Sequence, residues 1–317
     1  MLTGTRPSWC NFSFLPVYLT GGGSVAAVGL LILTGCSHKQ SSVLANELTF
    51  SLKDISEVTI SYDEEKVTFY ESENNELTIK EYMTENKSSY YAKVDQISNS
   101  IKISEGGKPF FKDGFSRYVE VYLPTSYHEN LTITTTDGDI DISELEMTLN
   151  ALRIDSTTGA VKINTVETQN IHLSTTSGVL EVNRLEADTI RVDTTSGSFS
   201  CHTLDGNVAY TTTSGNANIQ SAIGSGNYKA NNSGELNVVY TEVTGDLSFY
   251  NKNNSIHVTL PADLEFEFLA TTRNGSVSTN FQESISMDGR TTSGTVGEHP
   301  TVTVKVETNN GDIEVTQ

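Results

Sequence analysis

Residues 171–182 read IHLSTTSGVLEV, residues 190–201 read IRVDTTSGSFSC, and residues 208–219 read VAYTTTSGNANI. In each stretch two apolar residues at period two lead into Thr-Thr-Ser-Gly, and two more at period two follow it. Period two is the signature of a β-strand with one face covered. Each stretch is therefore a strand, a tight turn and a strand, and the three are copies of one unit.

The unit extends in both directions. Turn-like glycines stand at Gly138, Gly159, Gly178, Gly197, Gly215, Gly234, Gly275 and Gly311, with Asn254 in the equivalent place. Successive spacings are 21, 19, 19, 18, 19, 20, 21 and then 36, with Gly294 inside the last gap. Apolar columns keep step. Two residues after the turn stand Ile140, Val161, Leu180, Phe199, Ala217, Leu236, Ile256, Val277 and Ile313. Four after it stand Ile142, Ile163, Val182, Cys201, Ile219, Val238, Val258, Thr279 and Val315. The unit before Gly234 slips by one residue, with Tyr228 and Ala230 as its apolar pair. A repeat of this length cannot bury its apolar face alone, so copies must stack. The expected fold is all-β: a β-solenoid over residues 126–317 of about nine rungs of about 19 residues, some 40 Å long at about 4.8 Å per rung. The expectation includes an inward column of Ile140, Ile163, Val182, Cys201, Ile219 and Val258, with Lys162 and His172 exposed. It includes glycines at positive φ in the corners, Thr and Ser hydroxyl ladders beside them, and an exposed polar edge at 146–151 and 186–189. Thr291–Gly294 repeats Thr-Thr-Ser-Gly but is followed by TVGEHP, which lacks the second apolar position. It is not expected to be a rung corner, because Pro300 cannot donate to a ladder.

Residues 47–125 form an amino-terminal β-region. Leu48/Phe50/Leu52, Val58/Ile60, Val67/Phe69, Leu77/Ile79, Ile101/Ile103 and Val119/Val121/Leu123 each alternate at period two. The Tyr-rich stretch EYMTENKSSYYAK, residues 81–93, reads as a loop or a short helix.

With NLTITTTDGDIDI at 130–142, LPADLEFEFLATTRNGSV at 260–277 and VKVETNNGDIEV at 304–315, the chain resembles a bacterial domain-of-unknown-function family labelled "putative adhesin". The resemblance covers about residues 47–317. It implies a β-helix-like fold and a surface or envelope protein, and it brings no catalytic residues.

The amino-terminal 36 residues hold one base, Arg6, and no acid. The apolar run Val25–Leu33 is too short to span a bilayer and suits a signal-peptide core. It ends in Leu33-Thr34-Gly35-Cys36, which resembles a bacterial lipobox. That resemblance implies a lipoprotein signal peptide over residues 1–36, cleavage before Cys36, lipidation of its thiol, and a mature chain on the extracytoplasmic face of the cell membrane. Residues 37–46 read as a polar tether reaching at most about 35 Å. Cys201 would then be the one thiol left unmodified, and no intrachain disulfide could form.

The 317 residues hold 20 Lys and Arg against 40 Asp and Glu, a net charge of −20. That charge is repelled by phosphate backbones and excludes nucleic acid as a partner. The histidines His38, His128, His172, His202, His257 and His299 form no metal or catalytic spacing. Asp137, Asp139 and Asp141 could offer oxygens to Ca²⁺, but the last two alternate with buried isoleucines and simply face water. No cofactor and no small-molecule substrate is indicated. The expected role is a non-enzymatic binding or scaffold module at the envelope, adhesin-like. One alternative is an envelope-stress or signalling component that binds cationic peptides or another envelope protein. Another is a carbohydrate-active β-helix enzyme, which would need paired carboxylates on one face.

Overall fold

The computed structural model describes residues 41–111, 114–281, 285–288 and 290–317. Leu33, Thr34, Gly35 and Cys36 lie outside them. Gln40–Gln317 makes one compact unit. No helix among the described residues is long and apolar enough to cross a membrane.

Seven strands precede the long repeats: β1 (Val43–Ser51), β2 (Glu57–Ser61), β3 (Lys66–Glu71), β4 (Glu76–Met83), β5 (Lys93–Ile97), β6 (Ser100–Ser104) and β7 (Arg117–Leu123). β1 takes in Val43–Asn46, the end of the stretch read as a tether. The Tyr-rich stretch closes β4 and holds one 3-10 turn, Ser88–Tyr90. β5 has no apolar alternation, since all five of its residues are exposed. Then come β8 (Asn130–Thr134) and the long strands β9 (Ile140–Ser156), β10 (Val161–Thr175), β11 (Leu180–Thr194), β12 (Phe199–Thr212), β13 (Ala217–Ala230) and β14 (Leu236–Asn251). Each long strand leaves one corner, bends in its middle and runs into the next, pairing parallel and nearly in register with its neighbours. The solenoid expected from the repeat is present.

The corners show why glycine stands there. Backbone hydrogen bonds continue through them, as in Ser177 N–H to Thr157 O at 2.8 Å and Ser196 N–H to Thr176 O at 2.7 Å. Corner backbones are thereby held one ladder spacing apart. A Cβ on Gly178 would lie 2.3 Å from the Gly159 carbonyl oxygen, and one on Gly197 2.2 Å from that of Gly178. The expected positive φ is not the reason: of the repeat's corner glycines, Gly234 alone has it, at 118°. Its corner carries the extra residue behind the slip, since Ala230 still pairs with Thr212 and Leu236 with Ala217.

The hydroxyl ladder lies inside the corner. Thr135, Ser156, Thr175, Thr194, Thr212, Thr272 and Thr308 are buried, with Asn251 among them. Thr175 Oγ1 accepts from Gly178 N–H at 2.9 Å and Thr212 Oγ1 from Gly215 N–H at 2.7 Å. Thr194 Oγ1 donates to Thr212 Oγ1 at 2.8 Å. Buried corner amides thus find partners within their own turn. Ile140, Ile163, Val182, Cys201, Ile219 and Val258 are all buried as expected, and Lys162 is exposed. His172 is half-buried instead, because it lies between Arg153 and Asp193 on adjacent rungs. From Phe199 onward the core becomes aromatic: Tyr228 stacks on Phe249 at 5.0 Å.

At both ends the chain departs from sequential stacking. The last strands are β15 (Ile256–Thr259), β16 (Phe266–Thr272), β17 (Val277–Thr279), β18 (Ile285–Asp288), β19 (Thr291–Val296), β20 (Val302–Thr308) and β21 (Ile313–Thr316). β20 pairs with both β14 and β16, and β21 with both β15 and β17. The final unit therefore inserts beneath the one before it. β19 runs antiparallel to β16 and β18, with Gly294 opposite Phe268 in mid-strand. Gly294 is thus no corner, yet both its sides are paired, in antiparallel strands that the sequence reading did not foresee. The amino-terminal end mirrors this. β2 and β3 insert between β6 and β7 on one side and β8 and β9 on the other. Antiparallel β4 then closes on β7, and β5 on β6. Residues 47–125 share one sheet with the repeats.

An ionic cluster fills the amino-terminal corner. Arg117, its side chain fully buried, donates to Glu65 at 2.9 Å and to the Tyr90 carbonyl at 2.7 Å. Lys108 reaches Glu65 at 3.2 Å and Glu105 at 3.0 Å. Glu81, also buried, accepts from Tyr62, Asn46 and the Ala92 amide. Period two carried this signal: Arg117 falls in the inward phase of Val119 and Val121, and Glu81 in that of Leu77 and Ile79. Burial opposes ionisation of Glu65, but a hydrogen bond from Glu105 and the charges of Arg117 and Lys108 outweigh it and bring its carboxyl down to about 2.

Two predictions follow from these contacts. Gly178→Ala should destabilise by about 1–3 kcal/mol through overpacking against backbone, whereas an unchanged denaturation midpoint would mean that the corner spacing is not rigid. Arg117→Met should cost up to about 3 kcal/mol by removing the buried guanidinium from Glu65, which keeps Lys108 at 3.2 Å. In the wild type, Glu65's contribution is complete above its ordinary value of 4.5 and is lost as pH falls through about 2. Denaturant titrations across that window check the sign; for Arg117→Met the loss should begin at higher pH.

Candidate functional site

The mid-strand bends of β9–β14 form the edge opposite the glycine corners. Period two breaks at the bend, where the next inward residue comes three positions on (Val182 to Leu185, Cys201 to Leu204), but that residue is apolar, so this edge is not uniformly polar as expected. Met147, Val166, Leu185, Leu204 and Ala222 are in register and buried. They make a further inward column that the sequence showed only as single apolar residues among polar ones.

The outward phase of the same bends is acidic. Glu167, Glu186 and Asp205 stand opposite one another on three successive rungs. Glu144, Glu146, Asp188, Glu242 and Asp246 lie in the same bend segments, where Arg184 is the single Lys or Arg. Arg184 donates to Glu186 at 2.6 Å. Partial burial raises the Asp205 carboxyl; Glu186 and Glu242 push it further up, and Arg184 opposes them. Like charges about 5 Å apart repel by about 1 kcal/mol even in water. Arg184, its pKa raised by Glu186, Asp205 and Glu167 together, relieves part of that repulsion, and the row stays net negative. The signal was present in the sequence as an acid one or two residues after the inward apolar residue of three consecutive units.

The other candidates are spent on structure. Asp137 accepts from Thr158 and Asp139 from the Ala160 amide at 2.9 Å. Asp141 pairs with Lys66 at 2.9 Å. The three thus serve separate partners, and no group of three or more His, Cys, Asp or Glu among the described residues is arranged to hold a metal. Cys201 is fully buried, and burial pushes its thiol up to about 12, which suits a core residue. His202 meets Gln220, His257 meets Glu314 and His128 meets the Thr148 carbonyl. Arg153, His172 and Arg191 form an outer row, but Asp155 and Asp193 already bind the two guanidiniums. A second row that the sequence reading missed is aromatic. On the outer face of β3, β4 and β7, Tyr82 stacks on Tyr118 at 4.6 Å and Tyr70 lies 5.4 Å from Tyr122.

No curated protein matches the chain. Among solved structures, it is similar to a "putative lipid binding protein" from Parabacteroides distasonis ATCC 8503, with 11% identity over 85% of this chain and 96% of that one, at a TM-score of 0.45. It is also similar to a "putative adhesin" from Bacteroides fragilis NCTC 9343, with 10% identity over 85% and 96% and a TM-score of 0.36. A third is a "putative cell adhesion protein" from Clostridium sporogenes ATCC 15579, with 14% identity over 86% and 99% and a TM-score of 0.26. At such identities and scores these likenesses bear on neither ligand nor activity. The family profile described as Toastrack DUF4097 matches residues 55–316, from the first inserted rung to the last strand. The chain belongs to the Toastrack DUF4097 family.

Proposed function

We propose that this chain is a non-enzymatic binding module of the cell envelope, held to the outer face of the cell membrane by lipid on Cys36, and that its acidic edge takes a cationic partner. The observation that carries the reading is the in-register row Glu167, Glu186 and Asp205. A cationic peptide, or the basic face of another envelope protein, can lie along such a row and meet one carboxylate per rung. The anchor rests on the lipobox-like Leu33-Thr34-Gly35-Cys36. Few residues separate Cys36 from β1, and the stack advances only about 4.8 Å per rung. These lengths favour a partner close to the membrane over a receptor on another cell.

Cys36→Ala should abolish fatty-acid labelling and release the chain from membranes; unchanged membrane association in detergent-free fractionation would contradict the anchor. Binding to cationic envelope peptides should weaken steeply as salt rises and the Debye length falls from about 10 Å to about 3 Å. Replacing Glu167 and Glu186 by Gln and Asp205 by Asn should remove most of that affinity without lowering the melting temperature. Tight, salt-insensitive binding to host matrix proteins, with antibody access to the domain on intact cells, would overturn this reading in favour of an adhesin.

A further inference from the structure

The chain enters the described body beside a loop that presents bare aromatic rings. Phe110 is 94% exposed and Phe111 79%, and their rings meet edge to face at 5.0 Å. Their loop joins β6 to β7, where the repeats have a tight glycine corner. Its base is firmly held. Gly107 N–H donates to the Ser89 carbonyl at 2.9 Å, and Phe115 packs on Tyr90 at 5.3 Å. Thr84 Oγ1 donates to the Gly114 carbonyl at 3.0 Å, and Arg117 ties the root of the loop to Tyr90. A loop so anchored could have turned its phenylalanines inward, yet no packing among the described residues covers them.

The first described residues are held at a specific place. Ser42 Oγ lies 3.2 Å from Ser116 Oγ, at the foot of this loop. Val43 and Leu44 follow, 54% and 44% exposed. Exposed apolar side chains of this size mark a docking surface, and these lie on the side where the chain enters the described body. Five residues separate Cys36 from Ser42, and the six steps between them span at most about 21 Å. A lipid on Cys36 therefore keeps the loop within reach of the bilayer, where Phe and Leu side chains bury about 5–10 Å into the headgroup boundary.

We propose that Phe110 and Phe111, with Val43 and Leu44 next to the foot of their loop, seat the amino-terminal end of the solenoid in the surface of the membrane that carries the anchor. The proposal rests on the anchoring at Cys36 for proximity. It adds an orientation: the seated loop replaces a corner, so the acidic edge lies on the far side of the rungs from it, away from the lipid.

The sequence offers a clean probe. Its single tryptophan is Trp9. In a Trp9→Phe background, Phe111→Trp places a lone indole at the loop tip. Leu269→Trp places one on the outward face of β16, near the other end of the stack. The full chain is produced in a bacterial host, assayed for fatty-acid labelling, and combined with phosphatidylcholine–phosphatidylglycerol vesicles carrying bromine on the upper acyl chain. Labelled protein in which Phe111→Trp emission is blue-shifted and mostly quenched, while Leu269→Trp stays water-like and unquenched, is the expected result. Labelled protein with a water-like, unquenched Phe111→Trp overturns the seat and leaves the anchor standing. A blue-shifted but unquenched indole also overturns it, by showing protein rather than lipid against the loop. Unlabelled protein that is quenched supports the seat and removes the anchor; unlabelled and unquenched protein overturns both.

Discussion

Everything in this solenoid depends on how closely the corner backbones approach one another. The parallel ladder runs through the turns without interruption, so each corner carbonyl sits where the next residue's Cβ would be, 2.0 Å away at Gly215 and 2.3 Å at Gly178. Only a residue without a side chain fits a polypeptide so close to its neighbour. Once that spacing is fixed, the rest is constrained. The hydroxyl three residues before the glycine must lie inside the turn and serve its amides. The residues on either side fall into columns, and a change in one rung is felt by both neighbours. The wider corner at Gly234, which absorbs its extra residue at a φ of 118°, marks how far the rule bends.

A stack of parallel strands has open ends that could pair with other chains. Both ends are closed by the same two devices. The chain runs to the edge and doubles back, so β2–β3 and β20–β21 lie inside the stack rather than at its limit. Antiparallel strands are then laid outside them: β4 and β5 at one end, β19 and β18 at the other. An antiparallel strand cannot offer the next parallel rung its register. At the amino-terminal end the corner is filled by Arg117, Glu65, Glu105 and Lys108, and a closing loop takes the place of the tight turn.

The repeat was legible because glycine, threonine and the apolar columns recur from Gly138 to Gly311, and a column of nine positions is hard to mistake. The order of the last rungs was not legible. The unit at Gly311 carries the same apolar pattern whether it lies outside Gly275 or beneath it, and only strand pairing distinguishes the two. The reason for glycine was misread for a similar cause, because one letter serves both a left-handed turn and a close backbone approach. β5 escaped notice because an outer capping strand buries no face and shows no alternation. The carboxylates of the acidic edge were visible individually. Their alignment as Glu167, Glu186 and Asp205 required the register of the bends, which is set by the inward Val166, Leu185 and Leu204.

The functional reading inherits its geometry from this stack: a row of charges one rung apart is only as regular as the ladder beneath it. The most direct test is therefore of the ladder where its order is least expected. In the structure Ile256 N–H donates to the Asp312 carbonyl at 3.0 Å, and Ile313 N–H to the Ser276 carbonyl at 2.9 Å. Nuclear Overhauser contacts measured on isotope-labelled protein should join Ile256 to Asp312 and Ile313, and Ile313 to Ser276 and Val277, with none between Ile256 and Val277. Direct contacts between Ile256 and Ser276 or Val277, with Ile313 contacting only one of the two rungs, would show stacking in chain order and contradict the account.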